Sequence, residues 1–303
     1  MSRHVAVLMG GWSAEREVSL VSGAAASAAL RERGYRVSEI DVGRDLPQRL
    51  ADVGPDVVYN ALHGRDGEDG TVQGLLEIMG IRYTHSGVLA SSLAMNKAMA
   101  KRLFATAGLR CPEGHLTTVL ALSNGWRPPL DPPYVVKPNN EGSSVGVRIV
   151  WTADERPIDR NDWPFGPEVL VERYVPGREL TVAVLGDRPL TVTEIRPRQG
   201  FYDYHAKYTE QAAEHLVPAP LSEDLYRRTM ADAQTAHRLL GCRGVSRADF
   251  RLDESEPDGL YLLEVNTQPG MTPLSLVPEQ AAHVGIGFAD LVVQLVEAAQ
   301  CDT

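Results

Sequence analysis

The chain has 303 residues, of which 43% are hydrophobic and 23% are charged, an ordinary balance for a globular protein. This length predicts two or three domains, because a single hydrophobic core rarely grows beyond about 250–300 residues. The formal net charge of -10 argues against a general nucleic-acid binder, which needs clustered lysine and arginine.

The cysteines and the N-terminus indicate the cellular setting. Cys111, Cys242 and Cys301 are widely spaced, odd in number and without the spacing of a zinc site. Such usage is typical of a reduced cytoplasm. There is no apolar core of a signal peptide and no apolar run long enough to span a membrane. We therefore expect a soluble, cytoplasmic protein with no membrane partner.

Predicted strands and helices alternate at the start of the chain. Strands are predicted over His4–Met9, Tyr35–Val42 and Asp56–Leu62, and helices from an N-cap at Ser13 to Gly34 and over Thr71–Met79. This alternation is typical of an open parallel α/β sheet, whose ligands bind beyond the carboxyl ends of the strands. Gly10-Gly11 and His63-Gly64 fall at those ends.

The remaining pattern is α+β. Two β-runs flank a Gly/Ser/Asn loop in residues 134–150, two more join at Pro176-Gly177, and a long helix is predicted over about Ser222–Leu240. The strands SRADFRL and LYLLEVN and a terminal helix follow. The stretch at 198–217 has no clean period, and such long loops are usually functional or disordered.

Polar side chains share one face of the last two predicted strands. Arg247 and Asp249 lie two residues apart, as do Glu264 and Asn266. If the strands pair through the turn at Pro257–Gly259, two carboxylates and an amide converge, which suits Mg²⁺ or Mn²⁺ completed by water and phosphate. The alternative is a salt bridge between Arg247 and Glu264. Four polar groups on one face favour the metal site.

Two lysines are candidates for phosphate binding. Lys137 ends the apolar strand of VVKPNNEGSSVG, whose small-residue loop can present backbone N–H groups to a phosphate. The alternative is an ordinary hairpin turn. Lys97 in MNKAMAK is a second candidate, although a helical lysine usually faces solvent.

The segment VLVERYVPGRELTV has the features of a nucleoside site. Glu172 and Glu179 flank Arg173, Tyr174 and Val175, a partly apolar stretch on which a flat ring could lie. The carboxylates would accept from an adenine amino group and from ribose hydroxyls. The alternative is a hairpin with two exposed acids.

Two N-terminal residues are candidates for contact with a small substrate. Glu15 follows a glycine turn, where it could bind an amine or favour the positive end of the next helix. His63 ends a predicted strand and could equally be a hydrogen-bonded core histidine.

Taken together, these segments resemble the D-alanine–D-alanine ligases, ATP-grasp enzymes of peptidoglycan synthesis. The segments that carry the resemblance, in the same order and spacing, are GGWSAEREVSLVSG, LHGRDGEDGTVQG, MNKAMAK, VVKPNNEGSSVG, GRELTVAVL, FYDYHAKY, RADF and EVNTQPGMTPLSLVP. The resemblance covers essentially the whole chain. It implies an ATP-grasp architecture, with an N-terminal open parallel α/β domain (1–95) and two α+β domains (96–183 and 184–303) that enclose the nucleotide.

The resemblance implies the ATP-dependent joining of two D-alanines through an acyl phosphate, with ADP and phosphate released. It implies ATP and two ions of Mg²⁺ or Mn²⁺, a monovalent cation such as K⁺ as a further cofactor, and a homodimer.

It also implies roles for individual residues. The phosphate and nucleotide lysines are Lys97, Lys137 and Lys207, the adenine site is Glu172 with Arg173, Tyr174 and Val175, and the ribose acid is Glu179. The metal ligands are Asp249, Glu264 and Asn266, and the oxyanion donors are Arg247 and the N–H of Gly270. Glu15 and His63 lie near the first D-alanine, Ser275 and Leu276 lie near the second, and Glu15, Ser143 and Tyr208 close the site under a lid at 198–217.

Some positions bear on the product and on rival readings. In relatives that make D-alanyl-D-lactate, the lid position that corresponds to Tyr208 resembles His. The tyrosine in this chain therefore favours an amine nucleophile and the dipeptide product. Trp12, Gln268 and His205 depart from the commonest pattern, and Gln268 adjoins the expected second-substrate pocket. One rival reading is another ATP-grasp carboxylate–amine ligase with different substrates. Another is a nucleotide-binding regulator without turnover, which the presence of Arg247 and the metal ligands disfavours.

Overall fold

The computed structural model describes residues 3–143, 145–158, 163–198 and 213–302. Its N-terminal part is a parallel sheet with strand order β2–β1–β3–β4, covered by helices. The strands are β1 (His4–Met9), β2 (Arg36–Asp41), β3 (Val57–Asn60) and β4 (Arg82–Tyr83). The helices are α1 (Arg16–Glu32), α2 (Leu46–Val53), α3 (Thr71–Met79) and α4 (Val88–Met95). The predicted open α/β sheet is confirmed.

The first strand explains why this sheet is parallel and internal. Every residue of β1 (HVAVLM) is buried, as expected for a strand covered on both faces. Gly10 follows at φ 75°, a conformation that favours glycine, and turns the chain toward α1. The predicted N-cap at Ser13 is wrong, because α1 begins at Arg16 with Glu15 as its N-cap residue. Ser13 instead donates a hydrogen bond to the backbone oxygen of His63 at 2.7 Å.

The second sheet is antiparallel, with strand order β5–β8–β6–β7. Its strands are β5 (Gly114–Thr118), β6 (Tyr134–Pro138), β7 (Arg148–Val150) and β8 (Glu168–Arg173). The helix α6 (Val119–Ser123) accompanies this sheet, whereas α5 (Lys97–Thr106) precedes it in the chain and packs through Ala100 and Phe104 into the core of the third sheet. Asn96 caps α5 by accepting a hydrogen bond from the N–H of Met99.

The third sheet is also antiparallel, with strand order β11–β10–β9–β12–β13. Its strands are β9 (Arg178–Leu185), β10 (Arg188–Pro197), β11 (Ala213–Leu216), β12 (Val245–Leu252) and β13 (Leu260–Asn266). Three helices follow the same part of the chain, α7 (Glu223–Leu240), α8 (Leu276–His283) and α9 (Phe288–Glu297). The predicted pairing of SRADFRL with LYLLEVN is confirmed.

The connection at 174–177 joins the second sheet to the third sheet. Because β8 and β9 belong to different sheets, the segment between them links two layers instead of closing a hairpin. Glu172 and Glu179 therefore lie on separate sheets. The predicted domain boundary at 183/184 falls inside β9, whereas the change of sheet lies at 174–177. The division into domains remains a prediction.

The C-terminal helix returns to the start of the chain. Leu291 and Val292 of α9 share one buried core with Val5 and Val7 of β1. The Glu297 carboxylate accepts a hydrogen bond from the Tyr35 hydroxyl at 2.6 Å. The same core includes Ala183 of β9 and Val245 of β12, so the first and third sheets pack together. Over the described ranges, we find no helix with both the length and the apolar character of a membrane span.

Candidate active site

A cleft of about 830 Å³ lies between the second and third sheets, and we call it the nucleotide cleft. Among its lining residues are Lys97, Lys137, Glu172, Arg173, Tyr174, Val175, Glu179, Asp249 and Glu264. The structure therefore brings these predicted nucleotide and metal residues to one place.

The most buried charge in the nucleotide cleft is Glu172 at the end of β8. Its side chain is only 3% exposed, and its two carboxylate oxygens form separate ion pairs, with Lys101 and with Lys137, each at 2.6 Å. Burial by itself would raise the pKa of Glu172, but the two lysines hold it below its usual value. The alternative of an exposed hairpin acid is excluded.

Lys97 faces the opposite wall of the cleft. It is the first residue of α5, is buried, and forms an ion pair with Glu264 of β13 at 3.3 Å. Its ammonium also donates a hydrogen bond to the backbone oxygen of Glu141. The solvent-facing alternative for Lys97 is therefore excluded.

The pairing of β12 with β13 assembles the predicted metal ligands. Asp249 lies directly opposite Glu264, and Arg247 lies opposite Asn266. A β-bulge interrupts the register just beyond Asp249, where β13 has one extra residue, Leu263. Bulges of this kind redirect neighbouring side chains, and both Leu263 and Glu264 line the cleft.

The structure pairs these acids differently from the Arg247–Glu264 salt bridge that the sequence left open as an alternative. Arg247 forms a bidentate salt bridge with Asp249 on its own strand, at 2.8 and 2.7 Å, whereas Glu264 pairs with Lys97. Asp249 also accepts a hydrogen bond from Thr181 at 2.7 Å. Asp249, Glu264 and Asn266 offer only oxygen ligands, so the donor set suits a hard divalent cation. Among the described residues, no group of three or more histidine, cysteine, aspartate or glutamate side chains is placed to hold a metal ion.

The outer part of the cleft contains aromatic and arginine contacts. The ring of Tyr174 lies 5.4 Å from that of Trp151. Arg173 pairs with Glu256 at 2.9 Å, and Arg251 lies 3.5 Å from Glu179. The Arg173–Glu256 pair joins the end of β8, next to the 174–177 connection, to the hairpin between β12 and β13.

A second cavity, of about 590 Å³, adjoins the nucleotide cleft, and we call it the first-substrate cavity. Its lining includes Glu15, His63, Glu68, Glu141, Ser143, Arg247, Asn266 and Gly270. Lys97, Glu141, Gly142 and Glu264 line both spaces. The two cavities therefore share a wall.

The contact between Glu15 and Ser143 closes one side of the first-substrate cavity. Glu15 is buried at the start of α1, and the Ser143 hydroxyl donates a hydrogen bond to its carboxylate. Ser143 lies in the loop between β6 and β7 with φ 49°, an uncommon conformation for a residue with a side chain. The glycine-serine loop therefore contacts Glu15, whereas its predicted link through Tyr208 to the long loop falls outside the described residues.

His63 lies at the back of the first-substrate cavity. Its Nδ1 is 3.3 Å from the Glu68 carboxylate and 3.2 Å from the backbone oxygen of Gln268, and its Nε2 is 3.1 Å from the Ser22 hydroxyl. Burial alone would lower the pKa of His63, but Glu68 raises it above its usual value. Both ring nitrogens therefore lie within hydrogen-bond distance of a protein group.

The predicted second-substrate residues lie beyond Gly270. Ser275 is the N-cap residue of α8, and its hydroxyl accepts a hydrogen bond from the N–H of Thr272 at 3.0 Å. Leu276 is the first residue of α8 and is buried. A Cβ at position 270 would come within 2.8 Å of the Ser275 hydroxyl, so the Ser275 side chain would have to move. Neither Ser275 nor Leu276 is among the lining residues of the first-substrate cavity.

Two departures from the commonest family pattern have structural explanations. The Gln268 side chain is buried and points away from the cavity, donating to the backbone oxygen of Asn60 and lying 3.2 Å from His85 Nδ1. It therefore joins the first sheet to the end of β13. Trp12 is 53% exposed, and its indole N–H donates to Asp66 at 2.6 Å.

Reasoning from the sequence missed Lys101 and Glu68. Lys101 lies four residues after Lys97, so the helical spacing in MNKAMAK could have identified it. Glu68 in HGRDGEDG lies five residues after His63 in a loop. Spacing along a loop does not predict which side chains face each other. Lys207, Tyr208 and His205 lie outside the described residues.

Comparisons with known proteins agree on one family. A family model described as the D-ala D-ala ligase C-terminus matches residues 126–297, and one described as the N-terminus matches residues 48–86. A D-alanine–D-alanine ligase of Parvibaculum lavamentivorans is 55% identical over 306 residues, covering 99% of both chains. One of Xanthobacter autotrophicus is 53% identical over 307 residues, covering 100% of both.

A solved structure is similar over nearly the whole length. The D-alanine–D-alanine ligase from Bacillus anthracis complexed with ATP superposes with a TM-score of 0.82 at 31% identity, covering 98% of this chain and 97% of that one. The fold, the full-length identities and the family models lead to the same conclusion. The chain belongs to the D-alanine–D-alanine ligase family.

Proposed function

We propose that the protein joins two D-alanine molecules to D-alanyl-D-alanine, converting ATP to ADP and phosphate, for peptidoglycan synthesis. The observation that carries this is the shared wall of the two cavities, formed by Lys97, Glu141, Gly142 and Glu264. A small carboxylate beside Glu15 would lie next to the terminal phosphate of a nucleotide in the cleft. The full-length similarity to proteins named D-alanine–D-alanine ligase supports the choice of D-alanine.

The chemistry needs activation, because a carboxylate is a poor acyl donor. The carboxylate oxygen of the first D-alanine attacks the γ-phosphorus of ATP, the bond to the bridging oxygen breaks, and ADP leaves. The amine of the second D-alanine attacks the acyl carbon and loses a proton, and phosphate leaves as the amide forms. Holding the two substrates in adjoining cavities supplies proximity and orientation, which can lower such barriers by about 7–11 kcal/mol.

The charges of the first-substrate cavity suit an amino acid. Glu15 is the proposed partner of the substrate ammonium, with the buried Glu68 and the half-buried Glu141 nearby. Arg247 and Lys97 supply positive charge on the side of the carboxylate. This separation of charge matches the two ends of a D-alanine zwitterion.

Oxyanion stabilisation is assigned to Arg247 and the backbone N–H of Gly270. Both groups line the first-substrate cavity, where charge would develop on the acyl oxygen. The carboxylate of the second D-alanine is assigned to Ser275 and Leu276 at the N-terminus of α8. Unpaired N–H groups and the helix dipole favour an anion there.

Mg²⁺ or Mn²⁺, as two ions, would be held by Asp249, Glu264 and Asn266, and would neutralise charge on the phosphates. Oxygen donors in register on paired strands support this assignment. In the structure, Arg247 and Lys97 compensate the two carboxylates. A monovalent cation such as K⁺ is a further proposed cofactor.

The nucleotide is assigned to the larger cleft. The lysines proposed to bind the phosphates and the nucleotide are Lys97, Lys137 and Lys207. The residues proposed to bind adenine are Glu172, Arg173, Tyr174 and Val175. The ribose hydroxyls are assigned to Glu179. The assignment of ATP to this cleft is supported by the relative from Bacillus anthracis that is complexed with ATP and has the same fold.

Tyr208, with Glu15 and Ser143, is proposed to close the site and so protect the acyl phosphate from water. A cytoplasmic location and a homodimeric state are also proposed.

The test is phosphate release from ATP and Mg²⁺ with D-alanine as the only amino acid, with the product identified by mass. D-Alanyl-D-alanine is the expected product. Phosphate release without the dipeptide would retain the ATP-grasp chemistry and reject D-alanine as the substrate. No phosphate release with any carboxylate–amine pair would reject a ligase.

A further inference from the structure

Helix α5 supplies a cation to each wall of the nucleotide cleft. Lys97 and Lys101 lie one helical turn apart, so their side chains leave the same face of the helix. The Lys97 ammonium lies 3.3 Å from Glu264 of the third sheet, and the Lys101 ammonium lies 2.6 Å from Glu172 of the second sheet. Of the two, only Lys97 lines the cleft. Lys101 therefore reaches Glu172 from behind the cleft wall.

The charge balance around Glu172 is unusual. One carboxylate carries two ammonium groups, Lys101 on one oxygen and Lys137 on the other, each at 2.6 Å. The three side chains are 3–10% exposed, so water screens them little. Two positive charges against one negative charge leave one net positive charge, at a place where Lys137 faces the cleft.

Removal of Lys101 would change this balance. Lys137 and Glu172 would then form a neutral pair, and an incoming phosphate would have to compete with Glu172 for the Lys137 ammonium. Attraction between buried charges at such short distances is strong, so this competition would weaken phosphate binding. The depressed pKa of Glu172 agrees with a carboxylate that stays ionised between two lysines.

We infer that Lys101 is a positioning residue for the nucleotide: it compensates the charge of Glu172 and thereby leaves Lys137 available to the phosphates of ATP. This inference rests on the proposed function, in which Lys137 is a phosphate lysine. It adds to the nucleotide site a residue that touches neither nucleotide nor metal.

The first experiment compares the binding of ATP and of adenosine by calorimetry. Lys101→Met should raise the Kd for ATP by about tenfold or more, because the lost net charge acts on phosphate. The Kd for adenosine should stay within about threefold. Lys101→Arg keeps the charge and should restore ATP binding, and Arg102→Met, at an exposed neighbouring position, should leave it unchanged.

A second variant tests the charge balance directly. In a Glu172→Gln background no carboxylate competes for Lys137, so Lys101→Met should lower ATP affinity far less there than in the unchanged protein. If Lys101→Met does not fold, the double variant, compared with Glu172→Gln, gives the same test. The two should differ little in ATP affinity, since no competing carboxylate remains in either.

Three results would overturn the inference. They are an unchanged ATP affinity in Lys101→Met, an equal loss for ATP and adenosine, and a loss of ATP affinity in the Glu172→Gln background as large as in the unchanged protein. Dipeptide formation by the unchanged protein is measured in parallel. Failure of that reaction would reject the proposed function, whereas the Lys101 inference is decided by nucleotide binding alone.

Discussion

The nucleotide cleft balances buried charge with opposite charge, whereas the edge of the parallel sheet satisfies its buried polar groups mainly with uncharged hydrogen-bond partners. In the cleft, Glu172 lies between two lysines and Asp249 faces Arg247. At the sheet edge, Gln268 joins Asn60 to His85, and no ion pair is involved in these contacts.

The difference follows from the ligands that each region is proposed to bind. A polyphosphate and its cations bring large charges, and the cleft places lysines, an arginine and carboxylates close to one another. The sheet edge sets the distance between the first sheet and the end of β13, for which hydrogen bonds with strict geometry are suited. Variants that remove one partner should therefore have larger effects on turnover and on stability in the cleft than at the sheet edge.

The largest effect is expected at Arg247. Arg247→Met should lower kcat by about 10³, about 4 kcal/mol, if the guanidinium stabilises the oxyanion. Steady-state kinetics of phosphate release measure this, and calorimetry should show ATP affinity within a few-fold. A variant with kcat close to that of the unchanged protein would reject the role of Arg247.

The next effect concerns the stability of the charge-paired region. Glu172→Leu leaves two buried ammonium groups without their carboxylate and should lower the free energy of unfolding by about 3 kcal/mol. Urea denaturation measures the change. The double variant with Lys101→Met should recover part of the loss, and a Glu172→Leu protein as stable as the unchanged one would show that the charges are not coupled.

At the sheet edge, acid pH should expose the contribution of His85. Burial, followed by the charges of His63 and Arg243, lowers the pKa of His85 to about 3. The folded protein therefore keeps this ring neutral, while the unfolded chain takes up a proton below pH of about 6.5. The stabilisation is complete above that pH and is lost progressively as the pH falls toward the folded value, by about 2 kcal/mol between pH 7 and 5.

The measurement is urea unfolding at both pH values for the unchanged protein and for His85→Asn. Asparagine tolerates the φ of 69° found at this position. The loss of stability on acidification should be smaller in the variant by about 2 kcal/mol. Equal losses in the two proteins would show that another group causes the acid sensitivity.

The smallest effect is expected for Glu68, the charged exception at the sheet edge. Glu68→Gln removes the carboxylate that raises the pKa of His63, so the ring should lose its proton at a lower pH. NMR titration of the ring measures the direction of the shift. Loss of one charge-assisted hydrogen bond should lower kcat/KM by about tenfold. An unchanged titration would mean that Glu68 does not control His63.

Local sequence determined the parallel sheet, the polar face of the last two strands and the ends of some helices. The alternation of buried strands and helices predicted the parallel sheet, and the polar residues at a period of two in SRADFRL and LYLLEVN predicted a paired, oxygen-rich face. These inferences hold because strand alternation and helix ends depend on neighbouring residues. The bounds of α3 at Thr71–Met79 follow from Gly70 and Gly80 in the same way.

Other features were decided only by the tertiary structure. Nothing local in VLVERYVPGRELTV indicates that β8 and β9 enter different sheets, yet this separation buries Glu172 and opens the cleft. Lys101 reaches Glu172 across 71 positions of the chain, and Gln268 reaches Asn60 across 208, so neither contact has a local signature. Sequence alone determined which chemical groups are present and on which strand face they lie. Their partners depend on packing between distant segments, and packing therefore decided which charges are compensated and which remain available to a ligand.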